Sequence, residues 1–189
     1  MGQITTAEGL RRHYREASGR AVQKQLDHLD KHCRRFIELS PFVLIGSTGD
    51  AGHADVSPRG EAPGFVHVLD EHRLAIPDRP GNNRLDTLTN LLTQPEVGLL
   101  FLIPGVDETL RINGCAAIHD DDDLRAPFEV KGRLPATVLV VTVAEAYLHC
   151  AKALMRSRLW DPDARIERSA LPTIGEMLRD QIADDGVSE

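Results

Sequence analysis

The sequence predicts a mainly β protein, an antiparallel barrel or sandwich with flanking helices. About seven short apolar segments lie between residues 42 and 143, and most are joined by tight turns. One amphipathic segment interrupts them, with leucines at helical spacing at positions 85, 88, 91 and 92. Because a single helix interrupts the strands, the order does not match repeating β-α-β units, and an antiparallel sheet is expected.

Length and charge narrow the class of protein. A chain of 189 residues favours one domain with a sizeable core, predicted over residues 1–189. With 41% hydrophobic and 27% charged residues, the composition is that of an ordinary globular protein. The net charge of -7 argues against a nucleic-acid partner, although it permits a local cationic pocket built from a few arginines.

The cysteines and the apolar runs indicate the cellular compartment in which the protein is expected. Cys33, Cys115 and Cys150 are far apart and form no Cys-x-x-Cys pair, which fits free thiols in a reducing compartment. No apolar run approaches the roughly 20 residues of a membrane helix. The first 16 residues carry charges throughout and lack the apolar segment of a secretory signal. A cytoplasmic protein with no membrane partner is therefore expected.

Residues 1–40 are predicted to form helices. Thr5 and Glu8 have the spacing of a capping box, so a first helix is expected to run to about Ala17. A second helix is expected to end at Ser40, before Pro41. Its apolar face comprises Val22, Leu26, Leu29, Cys33, Phe36 and Ile37. His28 and His32 have metal-ligand spacing on that helix, but no third ligand joins them, and no metal is predicted.

The barrel is predicted over residues 41–146, with an inserted helix at 84–93. The expected strands are 42–47, 53–57, 65–69, 73–76, 97–103, 109–118 and 137–143. The acidic run at 120–123 lacks the glycine and distal glutamate of a calcium loop and is predicted to be a solvated turn. Residues 147–189 are assigned to a helical C-terminal segment, with an irregular turn and helix at 144–158 and a last helix at 174–182.

The loop at residues 78–83 has the composition of an anion site. Gly81, Asn82 and Asn83 lead into the predicted helix start at Arg84, where free N–H groups and the positive helix end would meet. Side chains alternate between the two faces of a strand, so Ser57 and Arg59 are expected on the same face, where the hydroxyl and the guanidinium could bind one phosphate together. From spacing alone, an ordinary surface arginine is the alternative at position 59.

The stretch from residue 74 to residue 118 resembles the FMN-binding split-barrel family of pyridoxamine 5'-phosphate oxidase-like proteins. The resemblance extends upstream to residues 57–60 and 64–66, and downstream to residues 149–153 and 156–160. The resemblance covers roughly residues 40–160. It implies an antiparallel Greek-key split barrel that binds FMN without a covalent bond. It also implies a homodimer with cofactor sites at the interface. The cofactor-binding residues that it implies are Ser57, Arg59, Ile76, Pro77, Asn83, Arg84, Arg111, Lys152, Arg156, Ser157 and Trp160.

The resemblance further implies an oxidoreductase with an unidentified small-molecule substrate or electron donor. The C-terminal Arg-x-His substrate motif of pyridoxamine phosphate oxidase has no match in residues 173–189, so another substrate is expected. A non-catalytic flavin or haem protein, and a deazaflavin-dependent reductase, stay open as alternatives. His67 and His149 are isolated histidines, and no residue is assigned as catalytic. For Trp160, an anchor of the C-terminal segment is the alternative role.

Overall fold

The computed structural model describes residues 2–17 and 19–184. The strands are β1 (Phe42–Thr48), β2 (Ala54–Gly60), β3 (His67–Val68), β4 (Arg73–Asp78), β5 (Glu96–Leu102), β6 (Thr109–His119) and β7 (Thr137–His149). The α-helices are α1 (Ala7–Arg11), α2 (Arg20–Gln23), α3 (Lys31–Leu39), α4 (Asp86–Leu91), α5 (Asp122–Arg125), α6 (Lys152–Ser157) and α7 (Ile174–Asp184). Short 3-10 turns lie at Ala126–Phe128, Pro162–Ala164 and Arg168–Ala170.

All the strands join one antiparallel sheet in the order β2-β1-β5-β6-β7-β4-β3. Strands β5, β6 and β7 form a meander, and β4 returns to pair with β7, which is a Greek-key connection. The two ends of this order are β2, which contains Pro58, and the two-residue strand β3. The predicted mainly β, antiparallel fold class is confirmed.

The two faces of the sheet differ in burial. On the inner face, Val43 and Ile45 of β1 pair with Phe101 and Leu99 of β5, and all four are buried. Helix α3 adds further buried residues to the same core. The alternate residues of β1 and β5 point outward and are only partly covered. This alternation of buried and partly exposed residues, with a period of two, is the pattern from which the strands were predicted.

A bulge at Asn113 and Gly114 interrupts the register between β6 and β7. A Cβ atom at position 114 would lie 2.0 Å from the carbonyl oxygen of Thr142, which is backbone and cannot swing aside. Only glycine fits this close approach of the two strands.

The predicted second helix is broken in two, which corrects the sequence interpretation. Leu26 lies between α2 and α3, and its backbone exchanges two hydrogen bonds with Ala146 of β7, at 3.0 and 2.8 Å. Asp30 then caps α3 by accepting from the N–H groups of His32 and Cys33. The pairing of Leu26 with the sheet replaces helical hydrogen bonds at that point. His28 therefore precedes α3 and does not share a helix face with His32.

Several other boundaries differ from the prediction, including one each of α1, β7 and α4. Helix α1 ends at Arg11, well before Ala17. Strand β7 continues to His149, because β6 keeps pairing with it as far as Thr109. Helix α4 begins at Asp86 because Leu85 has a left-handed backbone, with φ 59°. Within the described residues, no helix combines the length and the apolar character that crossing a membrane requires.

Candidate functional site

A cavity of about 760 Å³ lies where β2, the end of β4 and the loop before α4 meet; we call it the main cavity. Among the residues that the sequence assigned to the cofactor, it is lined by Ser57, Arg59, Pro77, Asn83 and Arg84. Residues from two separate hairpins and from the inserted helix segment thus converge on one concave surface. Such convergence of polar groups is what a binding site requires.

Strand pairing explains the direction of the β2 side chains. Ser57 pairs with Ile45 and Arg59 pairs with Val43, and both partners are buried core residues of β1. Paired residues share a face of the sheet, so Ser57 and Arg59 lie on the inner side. Because β2 is an edge strand, that inner side opens into the main cavity.

Arg59 forms an ion pair with Asp78 across the main cavity. Its Nη2 lies 3.3 Å from Oδ1 of Asp78, and the two side chains are 25% and 14% exposed. Strands β2 and β4 are not neighbours in the sheet, so this pair joins two walls of the cavity. Burial raises the pKa of the Asp78 carboxyl, although the Arg59 guanidinium opposes that shift.

The loop before α4 holds an unusual backbone conformation. Asn83 and Leu85 both have φ 59°, in the left-handed region that non-glycine residues seldom occupy. The Asn82 side chain accepts a hydrogen bond from the backbone N–H of Arg84 at 3.1 Å, which supports the turn. Arg84 itself is 73% exposed and pairs with Asp86 at 2.8 Å. Its guanidinium can therefore reorient at little cost.

Arg79 is a cavity residue that the sequence interpretation missed. Its Nε and Nη2 donate to the Glu61 carboxylate at 2.8 and 3.1 Å, and Nη2 also donates to the Phe128 carbonyl at 2.8 Å. This bidentate contact ties the loop after β4 to the loop after β2. No local sequence pattern predicts the contact between Arg79 and Glu61, because the two residues are far apart along the chain.

The carboxylates of the main cavity were also missed. Asp55, Glu61, Asp78 and Asp86 line it together with three arginines. Asp55 accepts a hydrogen bond from the Thr87 hydroxyl at 2.9 Å, which ties α4 to β2. Each of the three arginines contacts one of the other carboxylates. Each cationic group of the cavity is thus paired with an acidic partner.

The remaining predicted residues lie outside the main cavity. Ile76 lies in β4, and its side chain is fully buried in the core. Arg111 is exposed on the outer face of β6, with its guanidinium 5.8 Å from the centre of the Tyr147 ring. Lys152, Arg156 and Ser157 lie on α6, where Arg156 donates to the Lys152 carbonyl. Trp160 donates its indole N–H to the Val106 carbonyl at 2.9 Å, which fastens the segment after α6 to the β5–β6 turn.

The fold defines the class of protein, a split barrel with a polar cavity at the open edge of the sheet. The family model described as pyridoxamine 5'-phosphate oxidase matches residues 29–150. Since this is well over half of the chain, the protein belongs to that family, and the predicted family resemblance is confirmed. No curated protein matches the chain.

Solved structures show the same fold. HupZ from Group A Streptococcus is 11% identical with a TM-score of 0.53, covering 63% of this chain and 92% of that chain. A putative pyridoxamine 5'-phosphate oxidase from Lactobacillus delbrueckii is 20% identical with a TM-score of 0.51, covering 66% and 98%. At these identities the comparison establishes the fold alone, and it confirms the predicted split barrel.

Proposed function

We propose that the protein binds FMN without a covalent bond and acts as an oxidoreductase on a small molecule. The observation that carries this proposal is the meeting of Arg59, Asn83 and Arg84 in one cavity of a chain from this family. The cavity volume of about 760 Å³ falls within the range of roughly 300–1,000 Å³ that suits a cofactor-sized ligand.

The donors of the main cavity fit a phosphate group. Ser57 and Arg59 offer a hydroxyl and a guanidinium from β2, while Asn83 and Arg84 approach from the loop before α4. A phosphomonoester carries about -1.5 to -2 charges near neutral pH and accepts charge-assisted hydrogen bonds. Asp78 and Asp86, which hold two of these arginines, are the carboxylates that a phosphate would replace.

The flavin would supply the redox chemistry, and the chain would hold and orient it. Pro77 would contribute a strand-end contact beside the ring system, at the rim where β4 meets the cavity. No side chain is assigned as a general acid or base.

We also propose a homodimer, supported by an outer apolar face on the sheet. This face comprises Phe42, Leu44, Val56, Pro58, Leu100 and Leu102. The register places Arg111 directly beside Leu100, at the border of the face. A second copy of the chain on this face explains why Arg111 and the α6 residues lie outside the main cavity. They would serve the partner's cofactor.

The dimer is tested by replacing Val56 with glutamate. Val56 is 64% exposed, so the change should leave the fold of one chain intact while placing a charge on the outer apolar face. Sedimentation velocity should show a dimer for the natural sequence and a shift toward monomer for the variant. Leu69→Glu, at an exposed site after β3, is the matched control and should stay dimeric. A Val56→Glu protein that stays dimeric would remove this face as the interface.

The proposed cofactor is tested by titrating the purified protein with FMN and with riboflavin. FMN should bind at least tenfold more tightly, because each charge-assisted contact to the phosphate is worth about 1.5–3 kcal/mol. Flavin fluorescence quenching measures both affinities. Equal affinities would contradict a phosphate site, and preferential uptake of haem or of a deazaflavin would favour the alternative cofactors.

Catalysis is tested on the FMN complex in the absence of air. Reduced nicotinamide, added as an electron donor, should reduce the flavin and lower its absorbance. A mild electron acceptor should reoxidise the flavin, so that the complex turns over many times. A complex that holds FMN but does not turn over with donors of this kind would favour a carrier or a sensor.

A further inference from the structure

A second, smaller recess opens beside the main cavity; we call it the side recess. It has a volume of about 190 Å³ and is lined by residues 61–65, His67, Arg79 and residues 127–130. Glu61, Phe65 and Arg79 line both the side recess and the main cavity. The volume is below the roughly 300 Å³ that a drug-sized ligand needs, so it suits one ring or one small molecule.

The walls of the side recess combine aromatic and proline surfaces with polar groups. Phe65 and Phe128 are buried, and two prolines, Pro63 and Pro127, add rigid apolar surface. The His67 ring stacks on the Phe128 ring with centroids 4.1 Å apart and planes 25° from parallel. This stacking fixes the orientation of the imidazole at the edge of the recess.

His67 is the group in the side recess that can both donate and accept a hydrogen bond. Burial lowers its pKa, so the imidazole is neutral at physiological pH and keeps one N–H donor and one acceptor nitrogen. The Arg79 guanidinium is directed to the Glu61 carboxylate and the Phe128 carbonyl. It is therefore not available as a partner for an anion.

The charge of the recess sets the kind of molecule that it admits. Two carboxylates, Glu61 and Glu129, and one guanidinium, Arg79, line the recess. With a neutral imidazole, the only cation among the described residues of the lining is the Arg79 guanidinium, which makes three hydrogen bonds to Glu61 and Phe128. The recess should therefore bind anionic groups weakly, unlike the main cavity, where the Arg84 guanidinium is exposed. The aromatic and proline surfaces and the neutral imidazole of His67 remain for recognition.

We propose that the side recess is the substrate subsite of the protein, taking a small uncharged ring compound that hydrogen-bonds to His67. The substrate role rests on the proposed function, because the recess adjoins the cavity assigned to FMN. An enzyme that acts on a phosphorylated substrate needs a cationic group for the substrate's phosphate, in addition to the one that binds the FMN phosphate. Among the residues that the structure describes, the lining of the side recess offers no such free cation.

Benzamide and benzoate form a matched pair of probes, since they share one ring and differ in charge. NMR titration of the full chain should show benzamide shifting the ring signals of His67, with benzoate at least roughly tenfold weaker. His67→Phe keeps the aromatic stack and removes the hydrogen bond, so benzamide binding should fall roughly fivefold. Val130→Trp, at a residue 48% exposed on the recess lining, should lower binding at least roughly tenfold by filling the space.

Unchanged benzamide binding in both variants, or benzoate binding as tightly as benzamide, would overturn the subsite. FMN affinity is measured on the same natural protein, which separates the two proposals. FMN binding without benzamide binding overturns the subsite alone. Benzamide binding without FMN binding overturns the proposed function, and the substrate role of the recess with it.

Discussion

Replacing Arg59 with alanine is expected to weaken FMN binding by about 1.5–3 kcal/mol and to leave riboflavin binding nearly unchanged. The Arg59 side chain is 25% exposed and lies on the wall of the main cavity, so its contact with a phosphate would be poorly screened by water. Arg84→Ala should cost less, because the Arg84 side chain is 73% exposed. Isothermal titration calorimetry with each ligand measures both losses.

Asp78→Asn is the matched control for Arg59. The amide keeps the shape of the carboxylate but removes the charge that competes with a phosphate for the guanidinium. FMN binding should therefore tighten in this variant. The double variant with Arg59→Ala should lose the part of that gain that comes from freeing the arginine, since that competition exists only while the arginine is present. Equal losses of FMN and riboflavin binding in Arg59→Ala would remove Arg59 from the phosphate site.

Replacing Gly114 with alanine is expected to lower the free energy of unfolding by about 3 kcal/mol or more. The added methyl group would sit 2.0 Å from the Thr142 carbonyl oxygen, so β6 and β7 would have to move apart at the centre of the sheet. Overpacking against backbone cannot be relieved by a change of rotamer. Urea denaturation followed by circular dichroism measures the loss.

Gly46→Ala is the matched control for Gly114. Both glycines lie within strands, but a Cβ atom at position 46 would meet its nearest neighbour, the Gly98 carbonyl oxygen, at an ordinary 3.6 Å. Its effect on the free energy of unfolding should stay within about 1 kcal/mol. Similar small losses at both positions would mean that the bulge at Gly114 relaxes freely.

The strands were predictable because their signal is local. In β1 and β5, buried and partly exposed residues alternate along the chain, and the predicted limits fall within a residue of the observed ones. The errors arose where distant pairing decides the conformation. The backbone of Leu26 bonds to Ala146 instead of continuing a helix, and β7 extends to His149 because β6 lies beside it. Neither of these long-range contacts produces a periodic sequence pattern near the residues whose conformation it determines.

Two of the three arginines of the main cavity were predicted from the sequence, but Arg79 and the acidic partners were not. Arg59 and Arg84 stand in segments with recognisable composition, and the fold brings both to the main cavity. Asp78 reaches Arg59 only through tertiary structure, as Glu61 reaches Arg79. The roles assigned to Lys152 and Trp160 depend on a second chain, so they stay predictions.

The two ends of the sheet bear on how copies of this chain can meet. Strand β2 contains Pro58, which has no N–H to offer a neighbouring strand, and β3 is two residues long. Neither border is a good template for extending the sheet from one molecule into the next. The architecture thus discourages fibre-like growth through backbone pairing, and it leaves side-chain packing as the way for molecules of this protein to associate.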